Sequence, residues 1–144
     1  MKYSFGNRSE DNLKTCNSVL QSICRRALSY GAMDFSVIEG HRTTERQQEL
    51  FNSVPPRTHL DGVTRKSRHQ TYPSEAVDLL PYPAVVNGVD VWGDKRRFSV
   101  LAGLMYAAAR EEGVEIRWGG DWDGDGNNRD SKLDDLPHFE LVNG

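Results

Sequence analysis

The chain has 144 residues, and none of its apolar runs approaches the roughly 20 residues that cross a bilayer. That excludes a membrane-inserted helix. Its first residues, MKYSFGNRSED, lack the apolar stretch of an export signal. Synthesis and accumulation in a cytoplasm are therefore expected. Positive charge is not in excess: 18 Lys and Arg face 21 Asp and Glu, a net charge of -3. A nucleic-acid partner is excluded as an expectation, because no basic footprint exists to neutralise phosphates. Repeats and low-complexity tracts are also missing. Cysteine is scarce, with only Cys16 and Cys24. The periodicity places both in one helix, about 12 Å apart along its axis, too far for a bridge. Two free thiols packed as small hydrophobes are expected.

What is present suffices for one folded domain spanning residues 1–144. Hydrophobic residues make up 37% and charged residues 27%, lean but not disordered. A chain this long buries roughly 68–70% of its unfolded surface, so a core forms without disulfides. Ser9 reads as the N-cap of a first helix. Leu13, Cys16, Leu20, Ile23 and Ala27 recur along it at helical spacing, and Gly31 ends it. Residues 34–39 (DFSVIE) read as a strand. Thr44 and Gln47 resemble a capping box opening a helix through Phe51. Residues 52–70 read as a long loop, of the kind that is often functional. Residues 76–81 form a strand, and Asn87-Gly88 marks a hairpin with a type I′ turn. A second long helix runs from Asp94 to Glu112, with Phe98, Leu101, Met105 and Ala108 on one face. Strands at 114–118 and 137–142 flank a Gly/Asp-rich loop. The pattern predicts an α+β fold with a largely antiparallel sheet and helices packed on it.

Three polar groups occupy positions where the pattern wants apolar ones. Asp78 lies in the strand Ala76-Val77-Asp78-Leu79-Leu80, and His138 opens His138-Phe139-Glu140-Leu141-Val142. His69 closes the long loop. Such groups are costly to bury unless paired or bound to metal. Two histidines and one aspartate are a sound zinc ligand set that leaves a fourth position open. They are equally compatible with an ion-paired aspartate and a satisfied strand histidine, since no His-x-x-x-His or Cys-x-x-Cys spacing is present. Asp135, three residues before His138, is placed to act as a general base on water held at such a site. Arg42, just past a strand end, is placed to hold an oxyanion or a substrate carboxylate. No partner is assigned to His41 or His59, and His59 reads as a solvated loop residue.

Four blocks occur in order: Glu39-Gly40-His41-Arg42-Thr43, Ser67-Arg68-His69, Ala76-Val77-Asp78-Leu79 and Asp135-Leu136-Pro137-His138-Phe139-Glu140-Leu141. Together they resemble the zinc peptidases that include D-Ala-D-Ala carboxypeptidases, dipeptidases and phage L-alanyl-D-glutamate endopeptidases. The likeness covers nearly the whole chain. It implies the α+β fold of Hedgehog and DD-peptidase domains, with His69, Asp78 and His138 as zinc ligands. It also implies Asp135 as catalytic base and Arg42 as a transition-state or substrate contact; Ser67 and Trp118 are further candidate substrate contacts. The chain departs from the family's Ser-x-His-x-x-Gly-x-Ala-x-Asp pattern in two ways. His69 and Asp78 are nine residues apart rather than seven, and Ser74 stands where the glycine would.

A second metal question lies in Asp121-Trp122-Asp123-Gly124-Asp125-Gly126-Asn127. Its Asp-x-Asp-x-Asp-Gly spacing matches the start of an EF-hand loop and points to calcium, with Asp121, Asp123, Asp125, Asn127 and Asp130 as ligands. Position 12 is Lys132 rather than glutamate, which excludes a regular EF-hand. A solvated acidic turn is the alternative.

The expected function is that of a phage endolysin-type zinc peptidase cutting the L-alanyl–D-glutamate bond of peptidoglycan stem peptides. It would be a monomer made in the host cytoplasm that reaches the wall after a separate protein permeabilises the membrane. The alternatives are a D-Ala-D-Ala carboxypeptidase or dipeptidase, and a non-catalytic, metal-containing wall-binding module.

Overall fold

A computed structural model describes residues 2–58, 60–121 and 135–142. The first helical region is two helices, not one: α1 (Asn7–Leu13) and α2 (Ser18–Ser29). The chain leaves the helix between them because local side chains offer the backbone other partners. Thr15 Oγ1 donates to the Asn12 carbonyl at 2.7 Å, and the Asn17 side chain caps α2 by accepting from the Val19 amide. The freed backbone pairs instead with Ser74: Asn17 N donates to Ser74 O, and Ser74 N to Thr15 O, both at 2.8 Å. Cys16 and Cys24 therefore do not share a helix, although both are buried free thiols as expected. Ser9 is not a cap either. Its buried hydroxyl accepts from the Val37 amide at 3.0 Å and ties α1 to the sheet.

Strand β1 (Asp34–Glu39) leads to α3 (Thr44–Phe51), which is capped by Thr43 accepting from the Arg46 amide. The expected box of Thr44 and Gln47 does not form. A capping box is present 23 residues later, where Ser67 and Gln70 bracket a single 3-10 turn, Arg68–Gln70. Next come β2 (Ala76–Tyr82), the two-residue strands β3 (Val85–Val86) and β4 (Val89–Asp90), a 3-10 turn at Val91–Gly93, and α4 (Lys95–Glu111). Asn87 at φ 51° and Gly88 at φ 78° form the hairpin turn. A left-handed pair of this kind is why Asn-Gly serves there. Strands β5 (Ile116–Gly119) and β6 (Asp135–Leu141) complete the main sheet.

The sheet has order β1-β2-β6-β5 and is antiparallel throughout. Alternation divides its residues between two faces. Val77, Leu79, Phe139 and Leu141 enter one core cluster with Leu20, Ile23 and Ala27 of α2 and Leu101, Met105 and Ala108 of α4. Burying a side chain the size of Phe139 contributes about 1.5–3 kcal/mol. The intervening residues Asp78, Leu80, His138 and Glu140 face the other way, into a cleft. The register places Asp78 directly opposite His138. Among the described residues, no helix is long and apolar enough to cross a membrane.

Candidate metal centre

The cleft has a volume of about 1010 Å³; Asp78 and His138 line it, and the fully buried His69 meets them there. His69 Nε2 lies 3.1 Å from Asp78 Oδ1 and 3.2 Å from His138 Nδ1, and His138 Nδ1 lies 3.3 Å from Asp78 Oδ1. Ligands held tetrahedrally about 2.0 Å from an ion stand about 3.3 Å from one another. The three atoms therefore already have the spacing of three corners of such a site.

Each histidine is aimed by its far nitrogen. His69 Nδ1 donates to the Gly40 carbonyl at 2.7 Å, so its Nε2 is bare toward the site. His138 Nε2 donates to Glu140 Oε1 at 2.7 Å, so Nδ1 faces the site. Such outer partners fix tautomer and ring orientation in metal sites. Gly40 is needed for its part. A Cβ there would run into Thr15 Oγ1 and the Asn12 carbonyl, so only glycine brings this backbone close enough.

Charge is balanced locally. Burial opposes the charge on Asp78, but His69 and His138 hold its carboxyl well below the usual range. Burial also opposes the charge on His138, but hydrogen bonds to Asp78 and Glu140 raise its imidazole to about 10. Glu140 is held low against its burial by His138, Arg68 and Arg117. Asp135 behaves oppositely: burial and the neighbouring negative charge of Asp78 raise it to about 6. Its Oδ2 is 4.0 Å from His138 Nδ1, at the edge of the ligand cluster.

Arg42 is buried beside the site. Its guanidinium donates to Glu39, to Gln47 Oε1 at 2.7 Å and to Asp78 Oδ2 at 3.4 Å. Gln47, fully buried, extends this chain by donating to Thr58 Oγ1 and the Leu60 carbonyl. Arg42 thus links an Asp78 oxygen to the loop that walls the cleft.

The structure brings together His69, Asp78, His138, Asp135 and Arg42, with Ser67 on the cleft wall. The Ser67 hydroxyl accepts from the His69 amide. Trp118 is not among the cleft-lining residues. Its ring stacks on Phe139 in the core and its indole N–H donates to the Leu136 carbonyl at 2.7 Å. His41 packs edge-on against Tyr72. Asp121 is buried and its amide donates to Trp118 O. His59 and the expected calcium ligands Asp123, Asp125, Asn127 and Asp130 lie outside the described residues. Glu140 was given no role from the sequence, and Gln47 only that of a helix cap. For Glu140 the signal was there: it shares a strand face with His138, two residues away. The bonds made by Gln47 depend on the path of the 52–67 loop, which no local pattern gives.

A sequence profile of the phage L-alanyl-D-glutamate peptidases matches residues 1–142. The L-alanyl-D-glutamate peptidase of Escherichia phage T5 is 33% identical over 146 residues, covering 99% of this chain and all of that protein. The crystal structure of the Serratia marcescens L-Ala D-Glu endopeptidase ChiX superposes with a TM-score of 0.72 at 34% identity. That match covers 96% of this chain and 90% of the other.

Proposed function

The chain belongs to the phage L-alanyl-D-glutamate peptidase family, and on that premise we propose that its cleft cuts the L-alanyl–D-glutamate bond of peptidoglycan stem peptides. The metal is proposed to be zinc, held by His69, Asp78 and His138. The observation that carries this reading is the near-tetrahedral spacing of three ligand atoms, with both imidazoles aimed by outer hydrogen bonds. Two nitrogens and one carboxylate oxygen suit zinc and leave one position for substrate chemistry.

Bound there, zinc supplies Lewis-acid polarisation of an oxygen. The protein supplies the rest. Asp135, raised to about 6, is mostly ionised at pH 7 yet basic enough to take a proton. It removes one from the attacking water as the water oxygen bonds to the alanyl carbonyl carbon. When the carbon–nitrogen bond breaks, Asp135 returns that proton to the leaving glutamyl nitrogen. Arg42 holds Asp78 in its ligating orientation and adds positive charge near the carbonyl oxygen.

The protein is further proposed to be a single catalytic domain, made in the host cytoplasm, that reaches the wall through another protein's membrane lesion. The 121–130 segment is proposed to take calcium, tested by thermal melts with and without that ion.

Mass spectrometry of digested murein tests the cleavage. A chelator-sensitive product with a new D-glutamate amino terminus is expected. Release of free D-alanine overturns the assigned bond, and no product at all revives a binding module. Asp135→Asn is expected to lose about 10²–10⁴ in rate with zinc content unchanged. A smaller loss removes Asp135 from the role of base.

A further inference from the structure

Among the described residues, six cations line the cleft: Arg8, Arg42, Arg46, Arg57, Lys66 and Arg68. Three are committed to carboxylates. Arg42 binds Glu39 and Asp78, Arg46 binds Glu39 and Glu49, and Arg68 binds Glu75 and Glu140. Among the described residues, Arg8, Arg57 and Lys66 have no carboxylate partner, and all three are exposed. A chain of net charge -3 thus presents, among the described residues, positive charge without a carboxylate partner along this cleft.

Arg57 and Lys66 both belong to the segment between α3 and the 3-10 turn, which lines the cleft and whose backbone is tied down at several points. Arg57 N donates to the Leu50 carbonyl at 3.1 Å, and Gln47 ties down Thr58 and Leu60. Asp61 accepts from the amides of Val63, Thr64 and Arg65. Ser67 N donates to Gln70 Oε1 at 2.9 Å. The wall is pre-organised while its two cationic heads are uncommitted, as a subsite for an anion requires.

The substrate has an anion to offer. The D-glutamate of a stem peptide is joined onward through its side-chain carboxyl, so its α-carboxylate is free. That carboxylate sits on the carbon bearing the leaving nitrogen. The other half of the substrate, alanine on an acetylated sugar, carries no charge near the scissile bond. The cleft's apolar lining, Leu80, Trp92 and Phe98, offers a carboxylate nothing.

We propose that Arg57 and Lys66 form a carboxylate-reading subsite for the D-glutamate half of the substrate, and so set the preference for free over amidated stem peptides. This rests on the cleavage proposed above. The test compares kcat/KM on two muramyl stem peptides that differ only at the D-glutamate α-carbon, one a carboxylate and one a primary amide. The parent protein is expected to favour the carboxylate by about tenfold or more, and 0.5 M salt should erode that preference. In the double variant R57Q/K66Q the ratio should fall to within about twofold of unity, with zinc content and thermal midpoint unchanged. R57K/K66R should restore it. A double variant that keeps the parent's ratio overturns the subsite, as does a parent that cleaves both peptides equally well. A parent that cleaves neither overturns the subsite and the proposed cleavage together.

Discussion

Loading the proposed zinc site should expel a proton, and the geometry says which one. His138 is sandwiched between two carboxylates, with Asp78 3.3 Å from Nδ1 and Glu140 2.7 Å from Nε2. These raise the imidazole to about 10 in spite of its burial. A metal accepts only a bare nitrogen, so Nδ1 must lose its proton first. At pH 7, three units below that value, displacing it costs about 4 kcal/mol of apparent affinity. Two consequences follow for zinc titrated into metal-free protein. Calorimetry at pH 8, in two buffers of different ionisation enthalpy, should report about one proton released per ion. Apparent affinity should tighten about tenfold per pH unit from 7 to 9. Release below about 0.3 proton, with flat affinity over that range, refutes the reasoning. The stability of the metal-free fold carries the same sign. A folded-state value above the unfolded one near 6.5 stabilises fully below pH 6.5, and that stabilisation is lost as pH rises through about 10. The thermal midpoint of the metal-free protein should accordingly fall across that window.

Gly40→Ala should destabilise the fold by about 1–3 kcal/mol, because the added carbon meets backbone and a hydroxyl that cannot both yield. Thermal denaturation checks this, and an unchanged midpoint would contradict the close approach. Burial pushes the Cys16 thiol up to about 11 and Cys24 higher still. Neither should react with a thiol reagent at pH 7.5 in the native state, while both should titrate after denaturation. Rapid labelling of either in the folded protein would show that its burial is wrong.

Much of the site was legible because strands write themselves with a period of two. Asp78 and His138 interrupt alternating apolar runs, and that interruption marks residues turned away from the core. The long helix from Asp94 was equally plain, since Phe98, Leu101, Met105 and Ala108 repeat on one face and all are buried. The first helix misled because Leu13, Cys16 and Leu20 keep helical spacing across a break. What breaks it is pairing with Ser74, a contact 58 residues distant from Cys16. Gln47 misled for a related reason. Its place in α3 suits a cap, but a buried arginine competes for the same amide and wins. Trp118 was expected at the substrate and lies in the core, where Phe139 and the Leu136 carbonyl satisfy both its ring and its N–H.

The position of β6 between β2 and β5 bears on how the protein opens. A strand with a neighbour on both sides cannot peel from an edge, so its amides meet solvent only when the whole sheet parts. The Phe139 and Leu141 amides are then a clock for global opening, while β1 and β5, with one neighbour each, can breathe alone. Because Asp78 and His138 ride on the two inner strands, a breathing edge does not separate that pair. Hydrogen exchange that is slowest at those two amides and faster in β1 and β5 would show this order of opening.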